Sequence, residues 1–143
     1  GAGKTRVGFV SSPHTEFDPG APELMLSSAS HAIEGADAIV AGPGLGTTDA
    51  SANALRRSIA AGVPLVLDAD ALNLVSTSLS LAESLARRDA ATLATPHPAE
   101  AARLDLFRCD LGDVLPGQGR ARQVVRHLVD GVVVPMVRFV TGR

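Results

Sequence analysis

The chain has 143 residues, of which 45% are apolar and 20% charged, and a formal net charge of −2. These values describe an ordinary soluble globular chain of one domain or less. They exclude a membrane span, since no apolar run approaches the ~20 residues it needs, and they make nucleic acid a poor partner. There is no Trp or Tyr, only four Phe, and the basic residues are scattered arginines beside the single Lys4, so no base-stacking surface can be assembled. The lone Cys109 removes a disulfide framework and a Cys-based zinc site, and it fits a reducing, cytoplasmic setting. No charged-then-apolar leader opens the chain. Gly1 begins it without Met, inside the turn-like "GAGK", so the chain reads as a piece of something longer.

In chain order, apolar β-rich runs alternate with helical patterns. Residues 6–10, "RVGFV", predict a strand, and 11–22 a polar loop marked by Pro and Gly. Residues 23–35, "ELMLSSASHAIEG", have helical content and end on glycine. Residues 36–43 predict a buried strand that runs into "GPGLG". Leu55 and Ile59, spaced i,i+4, mark a helix over 49–62, with Arg56 and Arg57 turned outward and Gly62 as the C-terminal cap. Residues 63–70 give another strand, 71–89 helix, and 90–97 a fourth strand. Residues 98–107 give a helix with Pro98 in its first turn. Val124, Val125, Leu128 and Val129 form an apolar stripe that predicts a helix over 119–131, and 132–140 closes the chain as a β-rich run.

Apolar strands without alternation, exchanged with helices, argue a parallel sheet covered on both faces. The expected class is α/β: three layers, a mostly parallel sheet with helices on either side. In such sheets ligands bind outside the carboxyl ends of the strands. Three strand ends here carry unusual residues, and they would converge on one rim.

The first is "GPGLGTTD" (42–49). Its glycines would let backbone N–H groups approach a ligand, and the helix that follows favours anions; Thr47, Thr48 or Asp49 can cap that helix. An unliganded strand-to-helix turn has the same look. The second, "LDADALN" (67–73), sets Asp68 and Asp70 on one side of an extended chain. They could hold Mg²⁺ or accept hydrogen bonds from a hydroxylated ligand. Alternatively, Asp70 caps the next helix and Asp68 is a solvated loop acid. The third, "TPHPAE" (95–100), holds His97 between Pro96 and Pro98, which fix its backbone in an extended pose. Such an imidazole suits a substrate contact, or else is a buried His satisfied by backbone. Glu100 is expected to support the helix start. "GAGKT" (1–5) resembles a phosphate loop, but a strand rather than a helix follows it. His14 and His127 receive no role.

Taken in series, "VAGPGLG", "LVLDADALNLV" and "ATPHPAEAARL" resemble the ADP/ATP-dependent NAD(P)H-hydrate dehydratase family. "GAGKTRVGFV" and "PELM" (22–25) look like that family's preceding strand and loop, and the resemblance is strongest over 1–104. It implies a ribokinase-like fold, here one partial domain over 1–143, incomplete at both ends. It implies nucleotide-dependent dehydration of the S-form of hydrated NADH or NADPH, with ADP or ATP and Mg²⁺: the hydroxyl is phosphorylated and phosphate then eliminated. Carried onto this chain, Gly44, Gly46 and His97 would contact the hydrated dinucleotide, and Asp68, Asp70 and Asn73 would shape the pocket. The family's frequent fusion to an NAD(P)H-hydrate epimerase makes such a domain the expected neighbour. A homo-oligomer is left open.

Two departures follow. The family's Lys-Gly strand end and "GxGD" loop, whose Asp is the catalytic base, are not matched; "LGDVLPG" (111–117) falls too soon after "TPHP" and lacks the first glycine. No catalytic residue, nucleotide contact or metal ligand is therefore assigned. Composition also departs from the family after about Leu104. The isolated chain is expected to be poorly stable and inactive, because a truncated parallel sheet exposes edges and helix faces. A ribokinase-like small-molecule kinase and a non-catalytic dinucleotide-binding remnant are the alternatives.

Overall fold

The glycine loop follows a short strand whose neighbours decide where it points. Strand β3 (Ile39–Ala41) pairs in parallel with β4 (Leu65–Leu67), and β4 with β5 (Thr92–Ala94). The computed structural model describes residues 3–100 and the strands 122–129 and 132–139. Before β3 lie β1 (Thr5–Phe9), β2 (Leu24–Ser28) and the short helix α1 (Ala29–Ile33). Helix α2 (Asp49–Ala60) joins β3 to β4, and α3 (Ala69–Thr77) with α4 (Leu79–Ala86) joins β4 to β5. Two long strands, β6 (Arg122–Val129) and β7 (Val132–Phe139), complete the elements among the described residues.

The strands form two sheets. β1 and β2 pair in parallel by themselves; the five-stranded sheet runs β3-β4-β5-β7-β6, with β7 antiparallel to both its neighbours. The α/β class with parallel strands and flanking helices is the expected one. Its antiparallel edge is not.

Helix α2 shows why these residues fold as they do. Thr48 caps it by accepting from the Ser51 N–H at 3.2 Å, and Asp49 sits in the first turn, where its charge suits the helix dipole. Leu55 and Ile59 are buried, Arg56 and Arg57 exposed. Past its end, Gly62 takes φ 72°, the left-handed closing position read from the sequence. Strand β4 lies inside the sheet, between β3 and β5, and Leu65 and Leu67 are 1% and 0% exposed. Leu72, Val75, Leu81 and Leu85 from α3 and α4 join them in one core. Each such side chain stabilises the fold by about 1.5–3 kcal/mol on burial. Ser78 both ends α3 and caps α4.

Two expectations are corrected. Residues 23–35 are not one helix: Leu24–Ser28 pair with β1, and the helix is confined to five residues after Ser28, whose hydroxyl accepts from the His31 N–H. The helix expected over 119–131 is instead strand β6, registered along its length with β7 from Arg122↔Phe139 to Val129↔Val132. A short Val-rich run carries no decisive period. The decisive signal was Asp130-Gly131 between two β-rich runs, the dipeptide of two-residue hairpins. Pro135 fits this arrangement: it faces Arg126 in the stretch where β7 has β6 as its neighbour and β5 does not reach. The helix expected over 98–107 opens as a helical turn at 98–100; its remainder and the "LGDVLPG" loop lie outside the described residues.

Candidate functional site

The parallel register places Ala41, Leu67 and Ala94 in one row. The ladder continues one residue further, since the Asp68 N–H donates to Ala41 O at 3.1 Å and the Thr95 N–H to Leu67 O at 3.0 Å. All three unusual segments therefore leave the sheet from the same rim. Adjacent strands lie ~5 Å apart, so β3 and β5 are separated by about 10 Å.

The glycine loop is held from several sides. Gly42 is buried with φ 134°, and a Cβ there would lie 1.7 Å from the Asp68 carbonyl oxygen. The loop thus rests directly on the backbone entering α3. The Leu45 N–H returns to Gly42 O at 3.0 Å, closing a turn. Gly44 and Gly46 take φ 67° and 72°, which only glycine adopts without strain. Around Gly44 the space is open: a Cβ would meet nothing within 4 Å. Ser51, itself buried, donates from Oγ to Leu45 O at 2.7 Å. The Gly46 N–H donates to Asp70 Oδ2 at 2.8 Å.

The two aspartates do not share one side of an extended chain: the strand ends at Leu67, Asp68 rather than Asp70 is the cap, and Asp70 lies within the helix. Asp68 is the N-cap of α3 and accepts from the Ala69 N–H at 2.9 Å. Asp70 stands in the first turn and spans to the glycine loop. Both are half-buried. Between them Ala69 has φ 46°, a left-handed conformation that alanine avoids. Asn73 is also half-buried, one turn along α3 from Asp70 on the same face.

His97 is exposed, carried outward by Pro96, which is fully buried. Its N–H donates to Glu100 Oε2 at 2.9 Å, while its Nδ1 accepts from the Ala99 N–H at 3.4 Å. This is a reciprocal capping arrangement with histidine in the capping position, and Glu100 supports the helix start as expected. The other ring nitrogen, Nε2, takes no part in this cap. His97 is thus exposed rather than buried, although its Nδ1 does take a backbone partner.

A cavity of about 860 Å³ opens between β1 and β3. Gly44 and Gly46 line it; Asp68, Asp70, Asn73 and His97 do not. Val10 and Ser11, which follow the carboxyl end of β1, also line it. The sequence held a signal for them, a polar loop at the end of a parallel strand. Among the described residues no three His, Cys, Asp or Glu side chains are grouped to hold a metal ion, and no helix is long and apolar enough to cross a membrane.

An α/β sheet with a glycine loop, an aspartate-capped helix and a proline-flanked histidine on one rim is consistent with part of a ribokinase-like domain. The family model described as NAD(P)H-hydrate dehydratase matches residues 1–130, and the chain belongs to that family. The bifunctional NAD(P)H-hydrate repair enzyme Nnr of Gloeobacter violaceus is 50% identical over 72 residues, half of this chain and 13% of that protein. The Nnr of Mycobacterium tuberculosis (strain CDC 1551) is 37% identical over 98 residues, 68% of this chain and 20% of its own. The ADP-dependent (S)-NAD(P)H-hydrate dehydratase of Neisseria meningitidis is 45% identical over 89 residues, 59% of this chain and 30% of its own. The chain thus spans less than a third of the length of each of these three relatives. No solved structure matches it.

Proposed function

We propose that this chain supplies part of the dinucleotide-binding wall of an enzyme that dehydrates hydrated NADH or NADPH at the expense of a nucleotide. The observation that carries this reading is the common rim. The glycine loop, the "LDADALN" segment and "TPHPAE" leave adjacent parallel strands at one register row, in a chain of the dehydratase family. Gly44 offers open backbone at a left-handed position, and His97 offers an exposed imidazole. Gly46, Asp68, Asp70 and Asn73 would shape the wall from behind, since of these four only Gly46 lines the cavity. The loop leads into the N-terminal end of α2, and the dipole of that helix favours an anionic group beside it.

ADP is the proposed co-substrate, as the name of the Neisseria relative says of that protein; ATP with the same chemistry is the variant to test beside it. Mg²⁺ would arrive on the nucleotide phosphates, the usual carriers of this ion. An epimerase partner acting on the same hydrated cofactors, and a cytoplasmic location, belong to the same proposal.

The test mixes the protein with (S)-NADPH hydrate, Mg²⁺ and either ADP or ATP, and follows the absorbance of reduced nicotinamide. NADPH binding is measured separately by calorimetry. Binding that falls about tenfold in His97→Ala, the loss of one charge-assisted or well-placed hydrogen bond, supports the assignment. A protein that neither binds NADPH nor yields reduced cofactor overturns it.

A further inference from the structure

Gly46 and Asp70 are 24 residues apart in the chain, yet each is the other's hydrogen-bond partner. We propose that Asp70 is a positioning residue whose carboxylate latches the glycine loop through the Gly46 N–H, leaving the Gly44 face of the loop to meet the ligand. The inference deepens the function proposed above and rests on it for the identity of that ligand alone.

Chemistry favours a latch over a direct contact. The ligand is a dinucleotide with an anionic pyrophosphate, and an unsatisfied carboxylate aimed at it would repel it. Tied to an amide at 2.8 Å, the same carboxylate makes a charge-assisted bond directed into the protein. Gly46, for its part, already has an acceptor and is not the amide on offer. The need for a latch comes from the loop itself. Glycines at 42, 44 and 46, all at positive φ, leave the unrestrained segment many alternative conformations. Ser51 grips Leu45 O from the α2 side, and Gly42 is pressed on the Asp68 carbonyl. Asp70 supplies the third hold, at the residue where the other two do not reach.

The entry to α3 delivers that hold. Asp68 caps the helix, and Ala69 turns through φ 46° immediately before Asp70. The strained residue thus lies between the carbonyl that supports Gly42 and the carboxylate that holds Gly46. One segment fixes both ends of the loop.

The experiment is amide hydrogen exchange by nuclear magnetic resonance on the full chain, wild type against Asp70→Ala and Asp70→Asn, with NADPH binding measured on the same samples. In Asp70→Ala the Gly46 amide exchanges at least roughly tenfold faster, while Leu65, whose N–H is bonded within the core, keeps its protection. Asp70→Asn retains an oxygen acceptor in place, so its Gly46 exchange falls between the two; it also reads the latch should the alanine variant fail to fold. NADPH affinity falls in the same order as Gly46 protection. Gly46 exchange that is unchanged by either substitution overturns the latch, as does a loss of NADPH affinity with Gly46 protection intact. If the wild type binds no NADPH while Gly46 still responds to Asp70, the latch stands and the proposed ligand falls.

Discussion

Gly42 and Gly44 are two residues apart and both take a positive φ, yet a methyl group would meet different fates at them. At Gly42 it would lie 1.7 Å from a backbone carbonyl oxygen that no rotamer can move. At Gly44 it would enter open space and suffer the left-handed conformation alone. Gly42→Ala should therefore lower unfolding free energy by roughly 3 kcal/mol or more, in the range of severe single substitutions, and Gly44→Ala by about 1 kcal/mol. Urea titration of the two variants measures the contrast, and equal losses would refute the close packing of the loop on α3. Ala69 predicts the opposite sign. An alanine at φ 46° is strained, so Ala69→Gly should be neutral or stabilising, although glycine in a helix usually costs about 1 kcal/mol.

Element by element, legibility in the sequence followed the strength of the local signal. Helix α2 was plain because a threonine cap, an i,i+4 apolar pair and a closing glycine agreed over 49–62, and its observed span is Asp49–Ala60. Strands β3, β4 and β5 were plain because parallel strands buried in a sheet are short apolar runs ending in loop chemistry. β2 was hidden because "LMLSS" owes its strand to pairing with β1, a partner that helical propensity ignores. β6 is signalled chiefly by Asp130-Gly131, a hairpin dipeptide set between two β-rich runs. At the rim, the convergence of three loops is legible from the parallel α/β class, which puts the carboxyl ends of its strands on one side. The Gly46–Asp70 bond was not, because it depends on the left-handed turn at Ala69, a conformation no residue preference announces. The cap of α2 offers a test at this scale. Thr48 Oγ1 accepts from the Ser51 N–H and lies 2.9 Å from Ser51 Oγ. Thr48→Ala should cost about 1 kcal/mol, with Thr48→Ser recovering most of it.

For the molecule as a whole, the tie that sequence did not reveal is Arg88. It is 9% exposed, and its guanidinium donates to Ser58 O and Ile59 O at the end of α2, to Val63 O ahead of β4, and to Thr92 Oγ1 in β5 at 3.1 Å. One side chain thus joins the helix that follows the glycine loop to the strands that carry the two other segments of the rim. A planar fork of five donors suits this task, and a cation suits the carbonyl end of a helix. Burial pushes its pKa below the ordinary arginine value. A base so shifted has its charge opposing folding, and that opposition is constant wherever the group is protonated in both states. The net effect of removing it should therefore be the same at mildly acidic and mildly alkaline pH. Arg88→Met fills the space but leaves the carbonyls without their donor, and should cost roughly 2–4 kcal/mol. Arg88→Lys should recover little, because one ammonium cannot reach acceptors on α2, the α2–β4 connection and β5 together. Denaturant melts of both variants decide the point. Full recovery by lysine would show that charge, and not the reach of the fork, holds these elements to a common rim.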